Sequence, residues 1–185
     1  MKKFFIYFLL SLIFITFAFC EGDSEYIHIR SNIPTDEWGE IISETYWLEA
    51  CIHAKKAGST RDYDANLLIS LNEDFTWNFY LTDISTRNLQ YANSKYCYYY
   101  KKIEIIDTPY TYIPDSKYCY GFYLNNKDTP DGTEFTNYVL NSSEIKIRFE
   151  LWNGSVYGIK ISGENLNKLK SSITNLFNGS IQVTI

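Results

Sequence analysis

Residues 144–161 read EIKIRFELWNGSVYGIKI, and this stretch decides the fold of the chain. Apolar and polar residues alternate from Glu144 to Leu151, which is the period of a strand with one buried face. Asn153 and Gly154 supply the two positive φ angles of a type I′ turn, and the alternation returns from Val156 to Ile161. The stretch therefore predicts an antiparallel hairpin with one side in a hydrophobic core.

Similar signals extend from this hairpin in both directions. Strands are predicted at residues 26–30, 45–54, 66–71, 76–81, 94–106, 117–124 and 181–185. Residues 38–52 also fit a helical stripe, so the second of these strands has a helical alternative. Leu166, Leu169, Ile173 and Leu176 recur at steps of three and four residues, which predicts one amphipathic helix. We expect a mainly β protein, an antiparallel β-sandwich or flattened barrel with one C-terminal amphipathic helix packed on it.

The first twenty residues have the profile of a secretory signal peptide. Lys2 and Lys3 precede an apolar run that ends at Phe19, and the chain then turns polar. The spacing of small residues predicts cleavage after Ala18 or Cys20, and lipidation of Cys20 is the alternative. We expect a signal peptide at residues 1–20 and a single exported β-rich domain at residues 21–185. Such a protein would be periplasmic, displayed on the cell surface or secreted.

The net charge of the chain limits which kinds of molecule it is expected to bind. The chain has 17 basic and 22 acidic residues and a net charge of −5, and removing Lys2 and Lys3 makes it more negative. Beyond the predicted signal peptide, the only basic clusters in the sequence are Lys55-Lys56 and Lys101-Lys102. Nucleic-acid binding relies on a concentrated basic surface, so we expect no nucleic-acid partner. Membrane contact is expected only through the leader or a lipid on Cys20.

A short motif is repeated around two cysteines. Residues 94–98 read SKYCY, and the same letters recur at residues 116–120. A hairpin centred on Thr108 would place Cys97 opposite Cys119, close enough for a disulfide bond. Closing a loop of about 20 residues in an oxidising compartment stabilises a fold by ~3 kcal/mol. We predict the Cys97–Cys119 disulfide, although pairing with Cys51 or Cys20, or separate buried thiols, are open alternatives.

The sequence offers little material for catalysis. It has no nucleophile elbow, zinc-protease motif, phosphate loop or Cys-x-x-Cys pair, and its only histidines are His28 and His53. His53 could activate Cys51 two residues away, but a structural histidine is the simpler interpretation. We expect no enzyme, no metal and no cofactor. A small hydrolase that uses two carboxylates is the alternative that acid-rich composition leaves open.

Aromatic residues suggest a binding role. The chain has 17 tyrosines, 12 phenylalanines and four tryptophans. Trp47, Trp77 and Trp152 could form a platform that stacks on sugar rings or enters a partner's pocket. The same rings could instead be core residues. We therefore nominate these three tryptophans as candidate ligand-binding residues for a protein or glycan partner.

The C-terminal part of the chain resembles a known class of envelope proteins. The resemblance is carried by residues 135–140, 145–148, 156–161 and 166–169, whose hydrophobic spacing is similar to the closing pattern of the invasion-associated locus B family and of type VI secretion-associated periplasmic proteins. It covers roughly a quarter of the exported chain. It implies an exported β-sandwich and transfers no catalytic residue.

These observations lead to one leading hypothesis and two alternatives. We expect an exported cell-envelope protein with a non-enzymatic binding or structural role. A carbohydrate- or host-surface-binding module that uses exposed aromatic rings is the second hypothesis. The third is the small carboxylate-based hydrolase.

Overall fold

The computed structural model describes residues 25–87, 95–114, 116–124 and 132–178. The strands in these ranges are β1 (Tyr26–Asn32), β2 (Thr45–Lys56), β3 (Ala65–Asn72), β4 (Trp77–Asp83), β5 (Tyr100–Ile105), β6 (Thr111–Tyr112), β7 (Phe122–Leu124), β8 (Glu144–Leu151) and β9 (Val156–Ser162). The helices are α1 (Gly132–Asn141) and α2 (Gly163–Asn178). The predicted signal peptide at residues 1–20 and the predicted strand at 181–185 lie outside the described residues.

The strands form one antiparallel sheet that curls into a half-barrel. Its order is β6-β5-β8-β9-β2-β3-β4-β7, and β1 pairs with β2 beside this path. One edge of β2 is shared, because β1 pairs with its first part and β9 pairs with Lys55 and Lys56 at its end. The predicted fold class is therefore confirmed, with a single curled sheet rather than two facing sheets.

The core lies between the concave face of the sheet and the two helices. Alternation along β8 sends Ile145, Ile147 and Phe149 inward, where each is almost fully buried. Helix α2 buries the predicted stripe of Leu166, Leu169, Ile173 and Leu176. The hairpin of β8 and β9 runs in register from the Glu144–Ser162 pair to the Glu150–Val156 pair, as its alternation predicts. The opposite, convex face of these strands is consequently open to solvent.

Helix α1 corrects the expectation of a single helix. Its sequence, GTEFTNYVLN, is rich in glycine, threonine and asparagine, which have low helix propensity. Tertiary contacts stabilise it instead: the ring of Phe135 meets the rings of Trp77 and Phe79 edge-on, with centroids 5.0 and 5.7 Å apart. The indole Nε1 of Trp77 also donates a hydrogen bond of 2.9 Å to Oγ1 of Thr136.

The structure also bears on the predicted strand at 45–54, on the lengths of two later strands and on membrane-spanning helices. Residues 45–54 are a strand, which removes the helical alternative. The strands predicted at 94–106 and 117–124 are longer than those observed, since β5 begins at Tyr100 and β7 spans only Phe122–Leu124. Neither helix in the described part of the chain is long and apolar enough to cross a membrane.

Candidate functional site

A basic surface lies on the convex face of the sheet, where β5, β8, β9 and the end of β2 meet. On β8, Lys146 and Arg148 point away from the core because they alternate with buried Ile147 and Phe149. Strand pairing then places Lys160 beside Lys146. Gly158 pairs with both Arg148 and Lys55, so one row of this face crosses three strands. Residues that are distant in sequence thus become neighbours.

A hollow opens on this face above Gly158. It has a volume of about 460 Å³. No heavy atom lies within 4 Å of the position that a Cβ on Gly158 would take. Because Gly158 has no side chain, the surface of the sheet is recessed at this residue. We call it the Gly158 hollow; it is lined by Lys55, Lys56, Ala57, Gly58, Ile106, Lys146, Ile147, Arg148, Val156, Gly158, Ile159 and Lys160. Its floor is mainly apolar, and five of its lining residues are basic.

A second depression lies nearby, at the turn between β8 and β9. It has a volume of about 400 Å³ and is lined by Lys101, Lys102, Ile113, Pro114, Lys117, Glu150 and Trp152. We call it the Trp152 groove. Glu150 in the groove pairs across the hairpin with Val156 of the Gly158 hollow, so the two depressions adjoin. We call the eight basic residues that line them the basic face.

Three glutamates on the same strands pair with some of these cations. Glu104 lies 2.6 Å from Nζ of Lys102 and 3.5 Å from Nη1 of Arg148. Glu144 binds both Lys146 and Lys160, and these two bonds hold the pKa of the Glu144 carboxyl below its usual value. The ammonium of Lys101 likewise lowers the pKa of the Glu150 carboxyl. These groups are partly solvated, so the pairs orient side chains more than they stabilise the fold.

The basic face remains positive after this pairing. It holds eight of the chain's 17 basic residues, against the three glutamates that pair with them and the nearby Asp64 and Asp107, in a protein whose net charge is −5. Within the described residues, no carboxylate lies within 4.0 Å of Nζ of Lys55, Lys56 or Lys117. In the sequence beyond residue 20, only the two basic dipeptides stand out as basic clusters. The alternating Lys146, Arg148 and Lys160 of the hairpin were the signal that could have revealed this face.

The structure does not bring the three nominated tryptophans together. Trp77 is 1 % exposed and packs in the core, so its nomination as a surface binding residue is wrong. Trp47 is half-buried on β2, eight residues or ~27 Å along the strand from the Lys55 end that joins β9. Trp152 is 52 % exposed and lies in the groove. Only Trp152 therefore belongs to the candidate site.

The two repeated cysteine motifs lie in a different register from the one expected. Strand pairing joins Ile103 to Tyr112, and Cys97 forms its backbone bridge with Thr82 rather than facing Cys119. Among the described residues, no disulfide bond joins Cys51, Cys97 or Cys119 to one another. Both Cys97 and Cys119 lie within electrostatic range of the Tyr100 hydroxyl. The Cys97–Cys119 disulfide stays a prediction, and the register argument for it is corrected.

The Cys51 and His53 pair does not form an activated thiol. Cys51 is 1 % exposed, and burial raises the pKa of its thiol to about 12. The ring of His53 stacks on Tyr63 with centroids 3.7 Å apart. A nucleophilic cysteine needs a lowered pKa and solvent access, and Cys51 has neither.

The two depressions contain one carboxylate between them, Glu150 of the groove. Carboxylate-based hydrolysis uses two such groups on either side of the scissile bond. Within the ranges that the structure describes, no three His, Cys, Asp or Glu side chains come together as a metal site requires. The basic side chains and apolar floor of this surface can bind anions and apolar ligand faces.

Comparison with known proteins adds no relative from which a role could be transferred. The chain matches no family model, no curated protein and no solved structure.

Proposed function

We propose that this protein is an exported, non-enzymatic binding protein of the cell envelope that holds an acidic polymer on its basic face. The observation that carries the proposal is the gathering of eight basic residues around two adjoining depressions on one sheet face of an acidic chain. A surface of one sign concentrates ligands of the opposite sign and raises their rate of association.

The length of the face favours a polymer over a small anion. Lys146 and Trp152 are six residues apart, which corresponds to ~20 Å along an extended strand. Cations are present at both ends of this distance. A chain with repeated negative charges would contact several lysines at once, and each contact would hold the next charge close to its partner.

The three glutamates favour a polymer whose charges are widely spaced. Duplex DNA carries one charge per ~1.7 Å of its axis, and its phosphates would meet Glu104, Glu144 and Glu150 as well as the lysines. A polymer with one carboxylate per repeating unit could place its charges at the lysines and its neutral groups at the glutamates. We therefore propose no nucleic-acid partner for the basic face.

Binding to acidic and neutral polymers tests this function. Immobilised polygalacturonate and poly-L-glutamate are the acidic probes, and dextran is the neutral one. We expect the wild-type protein to bind the acidic probes and not to bind dextran. Its affinity for the acidic probes should fall about tenfold or more between ~0.05 and ~0.5 M salt. If the protein bound neither of the two acidic probes at low salt, the proposal would be overturned.

A matched pair of lysine variants locates the binding to the basic face. Lys160 and Lys168 each pair with a glutamate, and their side chains are 60 % and 57 % exposed. Only Lys160 lies on the basic face, since Lys168 belongs to α2 on the other side of the sheet. We expect Lys160→Gln to weaken binding about threefold and Lys168→Gln to leave it unchanged, because each variant removes one charge and only Lys160 lies on the basic face.

Export is tested separately by the mass of the mature protein. Intact-mass analysis of protein recovered from the cell envelope should give a chain that begins after Ala18 or Cys20. A mass that includes the leader would contradict export. An added lipid mass would show that Cys20 is the anchor.

A further inference from the structure

We infer that the Trp152 groove is a subsite for one carboxylated sugar unit, which stacks on the indole while its carboxylate meets the surrounding lysines. The inference rests on the proposed function and names the chemical class of its ligand: an acidic polysaccharide. Nothing in the binding of a generic polyanion requires an exposed indole, so the two ideas can be tested apart.

The backbone holds Trp152 in a defined position. The turn after β8 is closed by hydrogen bonds from Leu151 N to Ser155 O at 2.9 Å and from Gly154 N to Leu151 O at 3.0 Å. The side chain of Asn153 accepts a further bond of 2.9 Å from Ser155 N, and Gly154 supplies the positive φ of 81° that the turn needs. These bonds place the Trp152 backbone before a ligand arrives, which lowers the entropic cost of ordering the turn on binding.

The groove leaves apolar surface exposed beside that ring. Trp152 is 52 % and Ile113 is 67 % exposed, and the largely buried Pro114 also lines the groove. Among the described residues, no other aromatic ring stacks on Trp152. Exposed apolar groups gathered in one concave place, with polar groups around them, are typical of a ligand site. The C–H face of a pyranose ring is an apolar surface of suitable shape for an indole.

The polar groups around the ring suit an acidic sugar in particular. Lys101, Lys102 and Lys117 bring three ammonium groups to the groove, against the single carboxylate of Glu150. Lys101 and Lys102 are oriented by Glu150 and Glu104, whereas Nζ of Lys117 lies 5.2 Å from the centre of the Tyr118 ring. A sugar carboxylate can bind at Lys117 without displacing an ion pair. Glu150 can accept a hydrogen bond from a sugar hydroxyl, a donor that a polyglutamate side chain lacks.

The inference is tested with Trp152→Ala, and Trp38→Ala is its matched control. Trp38 is also exposed, at 82 %, but lies in the loop between β1 and β2, outside both depressions. We expect Trp152→Ala to weaken binding to polygalacturonate about tenfold and to leave binding to poly-L-glutamate within twofold of wild type. Trp38→Ala should change neither affinity.

Two further variants distinguish loss of ring stacking from loss of side-chain volume, and a stability measurement detects loss of the fold. Trp152→Phe keeps an aromatic face and should retain most of the binding to polygalacturonate. Trp152→Leu keeps apolar bulk without a π face and should behave like Trp152→Ala. Thermal unfolding of each variant confirms that the domain is intact.

The outcomes distinguish the inference from the proposed function. Equal losses on both acidic probes, or no loss on either, would overturn the sugar subsite while salt-dependent binding by wild type still supports the basic face. If wild type bound poly-L-glutamate but not polygalacturonate, the sugar subsite would likewise be overturned and the basic face still supported. Absence of wild-type binding to both probes would overturn the proposed function and the inference with it.

Discussion

The backbone of Gly132 lies against that of Phe75, so closely that a Cβ at position 132 would be 1.7 Å from the Phe75 carbonyl oxygen. Phe75 belongs to the turn between β3 and β4, where its φ is 63°, and its ring stacks on Phe177 of α2 with centroids 4.2 Å apart. The start of α1, the β3–β4 turn and the end of α2 therefore meet at one point.

Gly132→Ala should destabilise the protein by about 3 kcal/mol, because the added methyl forces α1 away from the turn. Urea unfolding followed by circular dichroism measures the change. Gly158→Ala is the matched control, since nothing lies within 4 Å of its new Cβ. Equal stability of Gly132→Ala and Gly158→Ala would show that the close approach is absent in solution.

Thr136→Val should cost about 1–3 kcal/mol of stability, because it removes the acceptor of the buried Trp77 indole N–H. Thr136→Ser keeps the hydroxyl and should cost less. The free energy of unfolding, measured in urea for both variants, separates the hydrogen bond from packing. A valine variant as stable as the serine variant would contradict the role of this bond.

Cys51 should not react with iodoacetamide in the native protein at about pH 8. Burial raises the pKa of its thiol to about 12, and the thiolate is the reactive form. In denaturant the same residue should be labelled rapidly. Peptide mass spectrometry before and after addition of urea provides the measurement, and rapid labelling of Cys51 without urea would contradict its burial.

A disulfide between Cys97 and Cys119 should be present in protein recovered from an oxidising compartment. The backbone N–H of Tyr100, three residues after Cys97, donates a hydrogen bond of 3.0 Å to the Cys119 carbonyl, and closing the intervening loop of about 20 residues would stabilise the fold by ~3 kcal/mol. Alkylation in denaturant should then label Cys51 alone of these three cysteines until reductant is added. Full labelling of Cys97 and Cys119 without reductant would show that the bond does not form.

Asp64→Asn should make stability less dependent on pH in the acid range. The Lys56 N–H and the Ser59 hydroxyl bind the Asp64 carboxylate at 2.9 and 2.7 Å and lower its pKa below the usual 3.8. A carboxyl with a lowered native pKa stabilises the fold above about pH 4 and loses this effect as the pH falls through its native pKa. The difference in Tm between wild type and Asp64→Asn should therefore be full at pH 7 and shrink below about pH 4. A constant difference down to about pH 2 would contradict this explanation.

The sequence by itself determined the features that depend on local periodicity. The alternation of residues 144–161 established the β8–β9 hairpin, and the three- and four-residue steps from Leu166 to Leu176 established α2. These features could be predicted because the side-chain period of a strand or helix is set by neighbours in the chain. Asn153 and Gly154 predicted where the turn lies, but the type I′ prediction was wrong: only Gly154 has a positive φ, and the bond from Leu151 N to Ser155 O closes a three-residue loop.

Only the tertiary structure decided which residues come together. Lys55, Lys102 and Lys146 are remote in sequence and share one face because the sheet order is β5-β8-β9-β2. Trp152 is exposed on the turn after β8, whereas Trp77 is buried against α1. The sequence did not predict α1, because its residues have low helix propensity. Periodicity tells which side of a strand is buried, but strand order depends on contacts between distant parts of the chain. The alternation of the hairpin indicated Lys146, Arg148 and Lys160, but the other members of the candidate site join them only through those contacts.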